Sequence, residues 1–351
     1  MPTAPKSTEE VSDFARVDVR CQNLVNSKKV PGLSITVIQN GKIRFKNGYG
    51  YCNLEEKSKV DVTNTVFRIA SISKCITGLA LAKMAEEGIL NFDDSVYTYL
   101  PDYPKKGLDI TLRQLAGHTA GIRAYRGKEY ALNKNLTIKD SLSLFQDDPL
   151  QFNPGEGYLY NSFDFALLSR VMEVASGIPF EIYVKENVLE PIGLKCTFTP
   201  EEINGKTVDF TTRALELASF YTKTRNGFKE AVAVNNQYKL AGGGYLSTSM
   251  DVAKLGHYIM EKQNAENPFL REILKSQYVN GNPTYYGMGF QVSLDKAGRR
   301  FFGHVGNSVG AYSNFFCYSK TETVISILVN CTDPKIQLEL DEMVNCILAE
   351  K

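Results

Sequence analysis

Three short stretches of this 351-residue chain carry side chains suited to acyl chemistry. The first is Ser71-Ile72-Ser73-Lys74, a hydroxyl and an amine three residues apart at the predicted start of a helix. That spacing sets Ser71 and Lys74 on one helical face, one turn apart. A serine hydroxyl is a weak nucleophile until a neighbour takes its proton. A lysine can take it only if burial or nearby positive charge brings its pKa well below roughly 10.4. A helix N-terminus would also aim backbone N–H groups at an oxyanion forming beside Ser71. Alone the triplet is weak, since a chain this size yields about one or two S-x-x-K by chance. A second copy, Ser293 to Lys296, sits at a strand end running into Ala297-Gly298 and is read as chance.

The second stretch is Tyr160-Asn161-Ser162, after a Pro154-Gly155 turn and just ahead of a predicted helix. A phenol near two cationic groups would fall below its usual pKa of roughly 10 and shuttle protons. Ser162 would donate to the lysine or to a substrate carbonyl. The plainer alternative is an aromatic packed under a loop, in a chain with 19 Tyr. The third stretch, His304-Val305-Gly306-Asn307, is a strand entering a Gly-rich turn. Its edge could offer the Asn307 N–H as an oxyanion donor. If His304 exchanged a proton in the reaction, kcat/KM would show a limb at roughly 6 to 7. A satisfied structural histidine is the alternative. Gly306 to Gly310 also fits G-x-S-x-G, but that motif needs a helix after Ser308 and a later histidine. A strand is predicted there, and His118, His257 and His304 all precede Ser308.

The elements that must position these groups alternate in character. A capping box at Ser7 and Glu10 opens an amphipathic helix over 8–28. Leu33–Ile38 and Lys42–Tyr51 read as strands joined at Asn40-Gly41, a strong hairpin signal. From 71 to about 195 the pattern is helical, with helices at Ile76–Glu87, Leu112–Leu115, Ile138–Phe145 and Asp164–Ala175. Strand signals return near 205, at Tyr286–Ser293, Arg299–Gly303, Ala311–Cys317 and Val324–Val329, with helices at Asp251–Glu261 and Ile336–Leu348. The predicted fold class is α+β: an antiparallel sheet flanked by N- and C-terminal helices, with an all-helical domain inserted. Residues 1–70 and 205–351 would form the sheet domain and 71–204 the helical one, with the site in the cleft between them.

Composition narrows the function classes. A formal net charge of +1 excludes the basic footprint of a nucleic-acid binder. Three His make a multi-His metal site hard to build. The seven Cys are scattered and odd in number, which points to a reducing compartment rather than a disulfide framework. No apolar run is long enough to span a bilayer. The first fourteen residues have neither the apolar core of a secretory signal nor the Arg-rich pattern of a transit peptide. The expected compartment is cytoplasmic or another reducing one, or mitochondrial if a leader precedes this sequence.

The order S-x-x-K, Y-x-S, H-x-G resembles the serine β-lactamase and penicillin-binding protein superfamily, in its branch with a Tyr second element. Leu115 to Ile122, with His118 and Gly121, resembles that family's L-x-x-H-x-x-G-I loop, and Ala241 to Thr248 its A-G-G-G-x-x-S-T turn. The wording of Phe67 to Lys74 is most similar to the animal mitochondrial serine β-lactamase-like branch. The resemblance implies a β-lactamase/transpeptidase-like fold and a serine hydrolase working through a covalent acyl-enzyme on an ester, amide or peptide. It implies Ser71 as nucleophile, Lys74 and Tyr160 sharing acid and base work, and the N–H groups of Ser71 and Asn307 as oxyanion hole. Ser162, His304, Gly306 and Asn307 would line the substrate. No metal or cofactor is implied; the partner is a small-molecule or peptide substrate, with no nucleic acid. Two departures turn the reading away from β-lactams. Ser162 stands where many relatives have Asn, and His304 where β-lactamases commonly have a Lys that would attract the penicillin carboxylate. Pocket walls would come from Arg123–Tyr130 and Asn204–Asn236; Arg123, Arg126 and Lys128 are candidates for an acidic group, or simply solvated. The alternative function is a catalytically weak scaffold, since the family includes self-assembling members; a homo-oligomer fits either reading.

Overall fold

The computed structural model describes residues 13–264 and 267–349. Helix α1, Asp13–Asn26, leads into strand β1, Gly32–Gln39, and strand β2, Lys42–Asn53. The turn between them has Asn40 at φ 49° and Gly41 at φ 72°, the paired left-handed conformation that an Asn-Gly hairpin needs. The Ser7–Glu10 capping box lies outside the described residues. Strands β3, Ser58–Lys59, and β4, Thr65–Arg68, bring the chain to helix α2, Ser73–Glu86. After short helices at Leu112–Ala116 and Ile138–Ser141 comes α3, Phe163–Ser176. Strand β5, Leu246–Ser247, pairs with β4 and is followed by helix α4, Ser249–Asn264. The chain ends in strands β6, Gln291–Leu294, β7, Arg300–Ser308, β8, Ala311–Tyr318, and β9, Thr323–Val329, then helix α5, Gln337–Ala349.

Seven strands form one sheet in the order β6-β7-β8-β9-β1-β2-β3. Every pairing in it is antiparallel, with Ile35 opposite Ile327 at its centre. Alternation sends Leu33, Ile35, Val37, Ile325, Ile327 and Val329 to one face, where they pack with Val17, Cys21 and Leu24 of α1 and Leu340, Met343 and Ile347 of α5. The other face turns Phe315, Cys317, Val324 and Leu328 into a larger cluster that includes α4 and the helical block. Because both faces are covered, β8 and β9 are buried along their whole length, hence the near-continuous apolar runs. Helix α4 lies close against the sheet at Gly256, where a Cβ would come within 2.7 Å of Cys317 Sγ.

The predicted elements differ from the observed ones in three instructive places. The Tyr286–Ser293 strand is confined to Gln291–Leu294, because the chain turns sharply before it, with Gly287 N donating to Phe290 O at 2.8 Å. Gly289 there has φ 87°, and a Cβ on it would lie 2.4 Å from Lys74 O. The Ile138–Phe145 helix stops as an α-helix at Ser141 and tightens into a 3₁₀ turn at Leu142–Leu144. Conversely, the strand expected to end at Gly303 runs on to Ser308 and carries the third motif with it. Among the described residues no helix is long and apolar enough to cross a membrane.

One buried amide ties the two ends of the chain to the loop between them. Asn330 accepts from Gly32 N at 3.0 Å and donates to the carbonyls of Tyr51 (3.2 Å), Cys52 (3.3 Å) and Ser219 (3.1 Å). Its removal strands an amide and carbonyls in a fully buried site. Asn330→Ala should lower unfolding stability by about 2–4 kcal/mol in urea titration, with the slope unchanged; a loss under about 0.5 kcal/mol would refute this account.

Candidate active site

The nucleophile candidate sits where β4 gives way to α2. Phe67 and Arg68 pair with Ser247 and Leu246 of β5, and Ile69 N extends the ladder to Tyr245 O at 3.1 Å. A single 3₁₀ turn, Ala70–Ile72, then enters the helix. Ala70 is held at φ 48°, a left-handed conformation that costs a non-Gly residue about 1–2 kcal/mol. Ser73 pins that turn: its Oγ donates to Ala70 O at 2.7 Å and accepts from Tyr245 N at 3.1 Å. Ser71 is left half-buried at the helix start with Lys74 one turn on.

Lys74 is fully buried, and no carboxylate lies within ion-pair distance of it among the described residues. Its Nζ donates to Gly242 O at 2.7 Å and lies 3.4 Å from both Ser71 Oγ and Ser162 Oγ. Burial lowers the amine to about 7, with a smaller opposing pull from Asp164. Near neutral pH a large share is therefore the free amine, with two N–H groups and one lone pair. The A-G-G-G turn contributes through its backbone: Gly242 O holds Lys74, and Thr77 Oγ1 donates to Ala241 O at 2.9 Å. A Cβ on Gly242 would press against Ser162 at 3.3 Å.

Tyr160 donates its hydroxyl to Ser71 Oγ at 2.7 Å, and its ring lies 4.8 Å from Lys74 Nζ. One side of the residue is open, at 37% exposure, but the environment of the phenol is apolar and aromatic. Burial pushes the phenol above its ordinary value, and only the Ser71 bond acts against that. This corrects the expectation of a depressed phenol: His304 is neutral and Lys74, lowered to about 7, is only partly charged near neutral pH, so burial outweighs what cationic pull remains. Tyr160 is protonated at neutral pH.

The opposite wall is β7. Gly306 lies against the nucleophile turn, where a Cβ would be 2.7 Å from Ile69 O and 2.2 Å from Ser313 Oγ. Ser313 Oγ donates to that same Ile69 O at 2.9 Å. Asn307 follows, exposed, at the strand end. His304 is buried, with Nε2 bonded to Tyr286 OH at 2.9 Å and Nδ1 to Val305 O at 2.6 Å. Burial lowers it to about 3, with Lys74 adding to the effect. His304 is therefore neutral near pH 7, against the expectation of a histidine titrating at 6 to 7.

Other sequence expectations resolve differently. His118 meets the Tyr160 ring edge-on, centroids 4.6 Å apart, and shares a 2.8 Å bond between Nδ1 and Asp164 Oδ2. Burial drives both members of that pair toward neutrality, lowering the imidazole and raising the carboxyl. Asn161 is a buried brace, donating to Ile122 O, Leu159 O and Asp164 Oδ2. Arg123 is consumed by Glu129 and Asp148, and Arg126 by Asp148, so neither is free for an acidic ligand. The second S-x-x-K is dispersed: Ser293 lies in β6, while Lys296 pairs with Asp341 at 2.9 Å. Ser308 ends a strand that pairs with the next strand, not with a helix. Tyr286, which orients His304 and packs 5.9 Å from Tyr160, carried no sequence signal among 19 tyrosines.

Residues 17–344 match the family model described as Beta-lactamase. Protein flp of Staphylococcus aureus (strain MW2) is 32% identical over 187 residues, 52% of this chain and 37% of that relative. The human mitochondrial serine beta-lactamase-like protein LACTB is 28% identical over 322 residues, 70% of this chain and 57% of that one. The chain thus spans well under two thirds of either relative. The octameric penicillin-binding protein homologue from Pyrococcus abyssi superposes with a TM-score of 0.82 at 24% identity, covering 97% of this chain and 78% of that one.

The tight seat of Gly306 gives a direct test. Gly306→Ala should cost about 1–3 kcal/mol, because the new methyl meets a backbone carbonyl. Adding Ser313→Ala, which removes the nearest clashing atom, should restore part of the loss in thermal melts. No loss in the single variant would show that β7 does not press on the Ser71 turn.

Proposed function

The chain belongs to the β-lactamase family, and from that premise we propose that it is a serine hydrolase cleaving an ester, amide or peptide bond through an acyl-enzyme. The single observation carrying this reading is the buried Lys74 amine, lowered to about 7 and 3.4 Å from a Ser71 Oγ that already accepts a hydrogen bond from Tyr160. Two N–H groups of that amine are directed to Gly242 O and Ser162 Oγ, and its lone pair is left for the Ser71 proton. Ser71 Oγ attacks the carbonyl carbon as its proton passes to Lys74. The separation is that of a resting site and tightens when substrate arrives. The N–H groups of Ser71 and Asn307 receive the oxyanion. Collapse expels the leaving group, which takes a proton from Tyr160; Lys74 then restores the phenol. A raised phenol is adequate here because a departing alkoxide or amide anion is more basic still. Water repeats the sequence on the acyl-enzyme, with Lys74 again the base.

In this reading His304, Gly306 and Asn307 form one substrate wall and Ser162 the other, in the cleft between the sheet part, 1–70 and 205–351, and the helical part, 71–204. A neutral His304 adds no positive charge for a penicillin carboxylate, which supports ester or amide substrates over β-lactams. Self-assembly is the second reading, supported by the octameric Pyrococcus homologue. The seven free cysteines support a reducing compartment, and the human relative's location supports the mitochondrion.

Labelling by a fluorophosphonate probe should be strong in the wild type and absent in Ser71→Ala; equal labelling would end the proposal. The pH dependence has a defined sign. Lys74 must be deprotonated to act, so kcat/KM for an activated ester should rise with pH through about 7 and level off above it. His304→Gln should leave that limb in place, because His304 is already neutral at every pH above about 3. A limb that disappears in His304→Gln would return the proton to the histidine.

A further inference from the structure

A buried polar pair lies beside the ring of Tyr160 and takes no part in the proton path from Ser71 to Lys74. His118 and Asp164 are 0% and 1% exposed and share the 2.8 Å bond between Nδ1 and Oδ2. The imidazole also touches three further rings, with centroids 4.8 Å from Tyr286, 5.4 Å from Phe165 and 6.3 Å from Tyr158. His118 is held at φ 61°, a left-handed conformation that is strained for a side chain with a Cβ. Among the described residues, neither His118 Nε2 nor Asp164 Oδ1 has a hydrogen-bond partner. Each such atom was desolvated without return. Apolar side chains of similar shape would avoid that cost. Stability alone therefore gives no reason for a histidine and a carboxyl in this place.

Their surroundings tie them to Tyr160. The segment that carries the tyrosine hangs on the His118 loop, with Leu159 N donating to His118 O at 2.9 Å and Gly155 N to Thr119 O at 2.8 Å. Asn161, the next residue after Tyr160, clamps Asp164: its Nδ2 donates to Oδ2 at 2.7 Å, and its Oδ1 accepts from Asp164 N at 2.8 Å. The carboxyl at the start of α3 thus fixes the rotation of the imidazole, and the imidazole sets one flank of the Tyr160 ring. Tyr286 stands on the ring as well, 5.9 Å away and bonded to His304. The remaining side of Tyr160 is open, so no other group limits its sideways travel there. We propose that the His118–Asp164 pair is the positioning unit for Tyr160, holding the phenol on Ser71 Oγ and in line to give its proton to the leaving group. This deepens the hydrolase reading above and rests on it for the reaction itself. The role is confined to one step. When the carbon–oxygen bond of an alkyl ester breaks, the departing alkoxide takes the Tyr160 proton, whereas 4-nitrophenolate leaves as a stable anion and needs none.

Ethyl butyrate against 4-nitrophenyl butyrate is the kinetic pair, since both form the same acyl-enzyme and kcat/KM reads acylation alone. Asp164→Leu keeps the branched shape and removes the acceptor. It should lower kcat/KM on ethyl butyrate by about tenfold more than on 4-nitrophenyl butyrate. Asp164→Asn, whose side-chain oxygen accepts from both Asn161 and His118, should bring both rates back to within about threefold of the wild type. In Tyr160→Phe the alkyl ester is already penalised, so adding Asp164→Leu should change the ratio of the two rates by less than about twofold. Where Asp164→Leu does not fold, His118→Phe keeps a ring against Tyr160, leaves Asp164 bonded to Asn161 and should show the same selective loss. Unfolding of both variants would make the pair purely structural and overturn the proposal. Equal losses on the two esters, or an undiminished effect of Asp164→Leu in the Tyr160→Phe background, would overturn it and leave the hydrolase standing. A wild type that turns over neither ester would overturn the hydrolase reading and the inference that rests on it.

Discussion

Complete burial of the Lys74 amine is the constraint from which the rest of the site follows. A charged ammonium in that position would need a carboxylate or a shell of water. The fold offers it one backbone carbonyl, two hydroxyls and aromatic rings, so the proton is released close to neutrality. Every nearby choice is consistent with that. His304 and His118 are themselves buried and neutral, and Asp164 is raised and shared with His118 and Asn161, so no strong counter-charge restores the ammonium. Tyr160, raised by burial, is likewise neutral near pH 7.

Precision in this site comes from close backbone approach. Gly306 brings β7 onto Ile69, Gly289 brings the preceding turn onto Lys74 O, and Gly242 brings its carbonyl to the amine while clearing Ser162. Three segments far apart in sequence thereby fix one side chain and the residue three before it. The left-handed Ala70 fits the same pattern: a strained residue held by Ser73, Tyr245 and the packed strand, immediately ahead of the reactive hydroxyl. Such strain persists only where its surroundings over-determine it.

Much of this was legible in the residues. The Asn40-Gly41 hairpin, the alternating strands at both ends and the helical middle follow from local periodicity, and Ser71, Lys74 and Tyr160 stand in motifs with definite spacing. What escaped has a common cause. Gly242 O is a backbone group with no side chain to read. Tyr286 meets His304 only because a turn that looked like a strand folds it inward. The direction of the Tyr160 shift depends on whether its neighbours are charged, which is set by burial and not by residue type.

The interlocked termini have a consequence for how the chain is made. Strand β1 is fully flanked only when β9 arrives from the opposite end, and α1 rests on α5, the last helix. At ribosomal rates of roughly 5–20 residues per second, the N-terminal hairpin waits for a time on the order of tens of seconds with an apolar strand edge unpaired. Such long-range pairing gives a high contact order and slow closure. Until the last strands emerge, β1 offers an open edge of the kind that pairs with other chains.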